Sequence, residues 1–532
     1  MTSIGDNSEA TTSMSKKCII LLGTVSVQQY IFQSNRLKEI IGASDLAKHW
    51  FDNGLIGAIQ QTGHTLDREA WHAYKQNPSI AQSDVEENTE SDVQIIYIGG
   101  GNAALLCKDK NTAADVVKKW SYEILKNAPG LRIAVGYGEE TNSLYEAYQE
   151  AWKQLNKCEE ALPYGAELGR LPIVRSCSTT GLPASTNARE ENNRVVRISK
   201  EAASKRDNLG KARNTIIDEF KSVLKENQHF ASDFDAELGG GDGHSYMAVV
   251  HADGNEMGDH LKDAVNEETD NAQFLHFIRR FSASVSMLSK NAFERTLQHF
   301  QNMLPLKEIK EKDNVFPLRP IVYGGDDLTF VCDGRVGLHL TQHYLKEFTK
   351  DPIKVGEEDR YIDACAGIAI VHTKFPIAQA YSFADELCAN AKSERRKKGN
   401  QNGSWMDFQI VQAGVTGSVN TIRNTQYRTL TGAQLHQRPY QVPEKWTVVA
   451  EILREFQSDK WPRSRAKSLM HALTKGSAET EHFVKAANWR GIELPSAEEQ
   501  QTGWSGGIEE EKTTPYFDPL EVLDYYLKEL LN

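Results

Sequence analysis

Apolar residues in this chain come in short runs closed by turn residues, and the runs recur in the same order twice. The first set is CIILLGTVSVQQYIF at 18–32, VQIIYIGGGNAALLC at 93–107 and LRIAVGYG at 131–138, followed by SLYEAYQEAWKQLNKCEE at 143–160. The second set is YMAVVHADGNEMG at 246–258, RPIVYGGDDLTFVC at 319–332 and RYIDACAGIAIVH at 360–372, followed by IAQAYSFADELCANAKSERR at 377–396. Runs rich in Val, Ile and Tyr with turn signals at their ends predict strands. Paired glycines between two such runs predict a hairpin, because glycine accepts the positive φ of tight turns. Ile377, Ala380, Ala384, Leu387 and Ala391 fall on one face at the helical period. Each copy therefore predicts an α+β layer, an antiparallel sheet with helices packed on it.

These patterns divide the chain into five parts: a polar, disordered tail at 1–16, a first α+β copy at 17–165, a helical linker region at 166–243, a second copy at 244–414 and a helical C-terminal domain at 415–532. The linker carries ISKEAASKRDNLGKARNTIIDEFKSVLKEN and ends in GGGDG at 239–243, a flexible joint. GNQNGSWMDFQIV at 399–411 predicts the last sheet strand, and EKWTVVAEILREFQ and DPLEVLDYYLKELL have helical apolar spacing.

Length and composition narrow the function classes. A chain of 532 residues suggests about three to four domains. No run of 18 apolar residues exists, so no membrane span is expected. The N-terminal stretch lacks the apolar core of a signal peptide. Seven cysteines without a C-x-x-C fit a reducing cytoplasm. The net charge of −12 argues against passive coating of nucleic acid. It is compatible with a small anionic substrate held through metal ions.

The chemistry concentrates in the second copy. Asp326 and Asp327 sit at the tip of the hairpin whose turn is made by Gly324 and Gly325, and Asp253 ends the strand YMAVVHAD. Adjacent buried carboxylates raise one another's pKa unless a cation neutralises them, and hard oxygen donors suit magnesium or manganese. If the two elements are neighbours, three acids meet at one sheet end, the usual two-metal arrangement for nucleotidyl transfer. Asp253, Asp326, Asp327 and the Gly254 carbonyl are the candidate metal ligands. Gly254, Asn255 and Gly258 fit a phosphate-cradling loop at a helix start. Gly324 and Gly325 complete the nucleotide site, and Lys392 reaches a triphosphate as a point charge. His251 is expected on the opposite sheet face, and His49 with Asp52 is set aside as a chance pair. The first copy is an internal control. It has Gly99, Gly100, Gly101 and Asn102 where the second has GGDD, Gly23 and Thr24 at the strand end, and Glu159 opposite Lys392.

HADGNEMG, YGGDD and FADELCANAKSE, in this order, resemble the catalytic Palm domain of the CRISPR polymerase, the large subunit of type III CRISPR effector complexes. GTVSVQQYIFQSNRLKEIIGASDL at 23–46 resembles the start of that family's degenerate first Palm, RSCSTTGLPAS at 175–185 its zinc-binding region, and QRPY at 437–440 the start of its helical C-terminal domain. The resemblance implies two ferredoxin-like Palm domains, the first degenerate. It also implies a cytoplasmic nucleotidyltransferase that makes cyclic oligoadenylate from ATP in antiviral defence, with two magnesium or manganese ions on Asp253, Asp326 and Asp327. Relatives often have an acid where this chain has Asn255. Thr180 stands where the zinc region's second cysteine is expected after Cys177, so no zinc is expected. The Palm-like pattern starts by about residue 18, so no HD nuclease domain is expected either. Expected partners are nucleoside triphosphates, guide or target RNA with CRISPR effector subunits, and a second copy of the chain in a homodimer. The alternatives are a non-catalytic RNA-binding scaffold subunit, and a GGDEF-like cyclase regulated by a small ligand.

Overall fold

A computed structural model of the chain describes residues 16–86, 88–161, 173–189, 194–233, 237–238, 245–266, 269–306, 309, 314–397, 403–411, 417–495, 502–506 and 512–531. The expectations for the tail at 1–15 and for GGGDG at 239–243 lie outside the described residues. The chain forms two units. One comprises Met1–Val27, Ala47–Glu167 and Leu261–Ala283, the other Gln28–Leu46, Leu168–His260 and Ser284–Asn532.

The first unit is built on a five-stranded sheet. Its order is Leu66–Asp67, Val93–Gly99, Asn102–Cys107, Cys18–Thr24, Ile133–Glu139. Cys18 to Leu22 are fully buried, as a central strand covered on both faces requires. The helix Leu144–Ala161 lies on this sheet because Gly136 and Gly138 lack side chains. A Cβ at either position would stand within 2 Å of a helix carbonyl, 1.9 Å from that of Ala151 and 1.8 Å from that of Ala147.

The second unit contains a six-stranded sheet ordered Leu318–Gly324, Asp327–Asp333, Tyr246–Gly254, Ala364–His372, Ser404–Ile410, Tyr440–Val442. All its pairs are antiparallel except Ala364–His372 with Ser404–Ile410. The helix Ile377–Lys397 is the crossover between those two parallel strands. Gly367 again permits close packing, since a Cβ there would stand 1.9 Å from the Ala384 carbonyl oxygen.

The α+β class is as expected, and the register shows that four strands of each sheet repeat one another, Val93–Gly99, Asn102–Cys107, Cys18–Thr24 and Ile133–Glu139 in the first and Leu318–Gly324, Asp327–Asp333, Tyr246–Gly254 and Ala364–His372 in the second. Both hairpins carry an irregularity at the same place, between Ile95 and Tyr97 and between Pro320 and Val322. Both close on a two-residue turn, from Gly99 to Asn102 and from Gly324 to Asp327. Cross-strand pairing then equates Gly23 with Asp253, Ala134 with Cys365 and Gly136 with Gly367. The helix contacts of those glycines equate Ala151 with Ala384, and therefore Glu159 with Lys392, eight residues on in each.

Two stretches differ from their sequence reading. The region read as a helical linker holds the helices Lys200–Asp207 and Leu209–Glu219, but also a hairpin of Thr186–Arg189 with Val195–Ile198. Tyr440–Val442, from the part read as helical, adds an edge strand to the second sheet. Three residues are too few to show a period. Near the hairpin, Cys177 is buried and its Sγ accepts the Thr180 backbone N–H at 3.5 Å. Burial pushes this thiol up, but hydrogen bonds from Thr179 and Thr180 outweigh it and hold it at about 6.

Candidate active site

The second sheet brings the three acids together. Leu328 pairs with Ala252, so Asp327 and Asp253 end neighbouring strands side by side. Asp326 occupies the hairpin turn after Gly325, whose φ of +67° is one that glycine adopts without strain. Gly254 leaves room in another way. A Cβ there would meet the Met257 Cε at 2.6 Å and the Asp326 Cβ at 3.0 Å, so a side chain would fill the space between the strand end and the turn.

Lys392, from the crossover helix, donates to Asp253 Oδ2 and, at 3.1 Å, to the Gly254 carbonyl. It thus binds two of the candidate metal ligands at once. Charge at the site is not balanced by this single ammonium. Burial and then the Asp253 charge push the Asp326 carboxyl up to about 6. Burial and the charges of Asp253 and Asp326 push Asp327 well above the usual range, and it shares a hydrogen bond with Asp253. Among the described residues, no group of three or more His, Cys, Asp or Glu side chains is arranged to hold a metal ion. What the site offers is hard oxygen donors, an excess of negative charge and a glycine-made gap, which together fit a divalent cation.

The loop after Asp253 starts the helix Met257–Ala264. Asn255 does not turn towards the acids. Its Nδ2 donates to Asp363 Oδ1 at 2.6 Å, and its backbone N–H to the Asp363 carbonyl at 3.0 Å. Gly258 has open space around its Cα, and Gly324, with φ +136°, opens the turn.

The expected placement of His251 is corrected. Residues two apart on a strand share a face, so His251 lies on the same face as Asp253. There its ring meets the Tyr381 ring at 5.5 Å and its Nε2 lies 3.7 Å from Asp385 Oδ1, both on the Lys392 helix. Its Nδ1 is 3.1 Å from Thr329 Oγ1, and burial pushes the imidazole below its usual value. Sequence reading also missed Asp363 and Arg395. Arg395 donates to Glu256 Oε1 at 2.9 Å and to Asp363 at 3.2 Å. The Arg395 signal was visible in hindsight, one helical turn beyond Lys392.

Residues 246–400 match the model of the family Cas10/Cmr2, second palm domain. That stretch is similar to a Cas10/Cmr2 second palm domain. All three acids and Lys392 of this palm fall within the matched residues. Solved structures share the fold over nearly the whole chain. The crystal structure of Csm1 in T. onnurineus has a TM-score of 0.52 at 12% identity, covering 98% of this chain and 70% of that one. The Csm1–Csm4 cassette in complex with cA4 has a TM-score of 0.51 at 9% identity, covering 96% and 70%. The same cassette in complex with one ATP has a TM-score of 0.50 at 11% identity, covering 96% and 70%. No curated protein matches the sequence. Among the described residues, no helix is long and apolar enough to cross a membrane.

Proposed function

We propose that this chain is a metal-dependent nucleotidyltransferase that joins nucleoside triphosphates, ATP foremost, into a cyclic oligonucleotide messenger. One observation carries the reading. Two sheets repeat each other down to the hairpin irregularity, yet only the palm that matches the family bears Asp253, Asp326, Asp327 and Lys392. Scaffold alone would not require that difference. The matched Csm1–Csm4 structures, described with ATP and with cA4, support the substrate and product class.

Asp253, Asp326, Asp327 and the Gly254 carbonyl would hold two magnesium or manganese ions. When bound, the metals supply Lewis-acid activation of the attacking ribose oxygen and charge neutralisation at the phosphate. The protein's own contribution is positional. The two strands and the turn fix the acids beside one another before substrate arrives, so little reorganisation is needed. The start of the helix Met257–Ala264 presents backbone N–H groups suited to phosphate oxygens. Lys392 would exchange its contacts with Asp253 and Gly254 for the triphosphate, which carries more charge than either. A ribose 3′-oxygen then attacks the α-phosphate and pyrophosphate leaves.

The expected partners follow from the same reading: CRISPR effector subunits with guide or target RNA, in the cytoplasm. Purified protein, alone and with such subunits, is incubated with labelled ATP and magnesium. Product that falls at least ~100-fold in Asp326→Ala/Asp327→Ala supports the reading. Product unaffected by that change refutes it.

A further inference from the structure

The left-handed turn after the catalytic strand occurs in both units, and in the second a set of charged side chains ties it down. In the second unit Glu256 has φ +59°, and at the equivalent position of the first unit Ser26 has φ +53°. The backbone hydrogen bond that closes the turn is shared as well, Asn255 N–H to the Asp363 carbonyl at 3.0 Å and Val25 N–H to the Arg132 carbonyl at 2.9 Å. This turn is therefore a property of the fold.

Side chains separate the two. In the second unit Asp363 accepts from the Asn255 amide at 2.6 Å, from the Gly403 N–H at 2.7 Å and from Arg395 at 3.2 Å. Arg395 bridges on to Glu256 Oε1 at 2.9 Å. The Arg395 side chain is only 6% exposed and that of Asp363 12%, a setting in which charge-assisted bonds are strong and costly to break. In the first unit the equivalent residues are Val25, Ser26 and Arg132, which cannot form this set. Left-handed φ at a residue other than glycine is strained and persists where the surroundings enforce it. This particular set of ties belongs to the unit that carries the acids. Lys392 and Arg395, one helical turn apart, then grip Asp253, Gly254 and Glu256 from one helix face.

We infer that Arg395 and Asp363 are positioning residues, which hold the turn at 254–258 so that its backbone N–H groups meet a nucleotide's phosphates. This inference rests on the nucleotidyltransferase reading for its substrate, but the ordering of the turn can be measured without it.

Hydrogen exchange of the amides at 255–260 is compared in wild type, Arg395→Gln, Asp363→Asn and Arg395→Lys. Exchange about tenfold faster in the first two variants, with Arg395→Lys intermediate, is expected. Adding Glu256→Gln to Arg395→Gln should change nothing further. If the variants at buried positions do not fold, Glu256→Gln, at a side chain 30% exposed, removes one arm and must still speed exchange. Unchanged exchange in a folded variant overturns the inference. In the nucleotide assay, Arg395→Gln should raise the KM for ATP about tenfold while kcat changes less than twofold. A loss confined to kcat also overturns it. If wild type makes no product, the functional reading fails, and hydrogen exchange still decides the positioning role.

Discussion

Three carboxylates share one ammonium at the tip of the second sheet. Burial, and then the charge of neighbouring carboxylates, raises the pKa values of both Asp326 and Asp327. Asp326→Asn removes one of the like charges and should raise the Tm of metal-free protein by about 2–4 °C, the shift expected for roughly 1 kcal/mol in a unit of this size. The same variant should lose stabilisation by magnesium. A lower Tm without metal would contradict this like-charge account. The acids were legible in the sequence because they sit at the ends of apolar runs, with a glycine directly beside Asp253 and Asp326. Lys392 was legible by counting against Glu159, since the two terminal helices align without a gap. Asp363 was not. Asp363 lies 108 residues from the Asn255 it holds, and nothing in its own neighbourhood marks it. His251 was misplaced by a parity error rather than by any ambiguity in the strand.

Glycine packing sets where the crossover helix sits, and so where Lys392 points. Gly367→Ala drives a Cβ into the Ala384 carbonyl and should cost about 1–3 kcal/mol, with weaker nucleotide binding because Lys392 moves with the helix. Gly57→Ala is the contrast. It has open space around it inside a helix and should be neutral or stabilising by up to ~1 kcal/mol. Thermal melts of the two variants give the comparison.

A second element-level device is the histidine cluster between the helices Asn271–Met303 and Gly337–Phe348. His299 stacks on His343 at 4.0 Å, and its Nε2 lies 3.0 Å from His339 Nε2. Burial, then repulsion from His299, lowers His339 to about 3 and His343 to about 4, with Glu347 offsetting part of the effect at His343 and Lys346 adding to it at both. Folding therefore favours the neutral rings. Their stability contribution is full above about pH 6.5 and is lost as pH falls through the folded values. Tm should drop between about pH 6.5 and 4, and His339→Asn should flatten that slope. An unchanged slope would show that the cluster does not titrate on unfolding. Hairpins and long helices were readable from period and turn chemistry. The edge strand Tyr440–Val442 was not, because pairing with Ser404–Ile410, not its own sequence, makes it a strand.

At the scale of the whole chain, one fold appears twice and chemistry once. The net charge of −12 is consistent with a site that works on small anions through bound cations and not by a broad basic surface. The proposed function draws on the duplication, which supplies its own reference. Shared glycines, register and left-handed turns belong to the fold, and what remains, the acids, Lys392 and the Arg395 tie, is what the proposal assigns to chemistry. The specificity for a base, the ring size of a product and the partner surfaces leave no comparable contrast between the copies.

The measurement that bears most directly on this account is product formation from labelled ATP and magnesium by wild type and by Asp253→Asn, with the candidate effector subunits and RNA present. The account predicts a cyclic oligonucleotide from wild type and at least ~100-fold less from the variant. Equal product from both, or none from wild type while nucleotide and metal still bind, would contradict it.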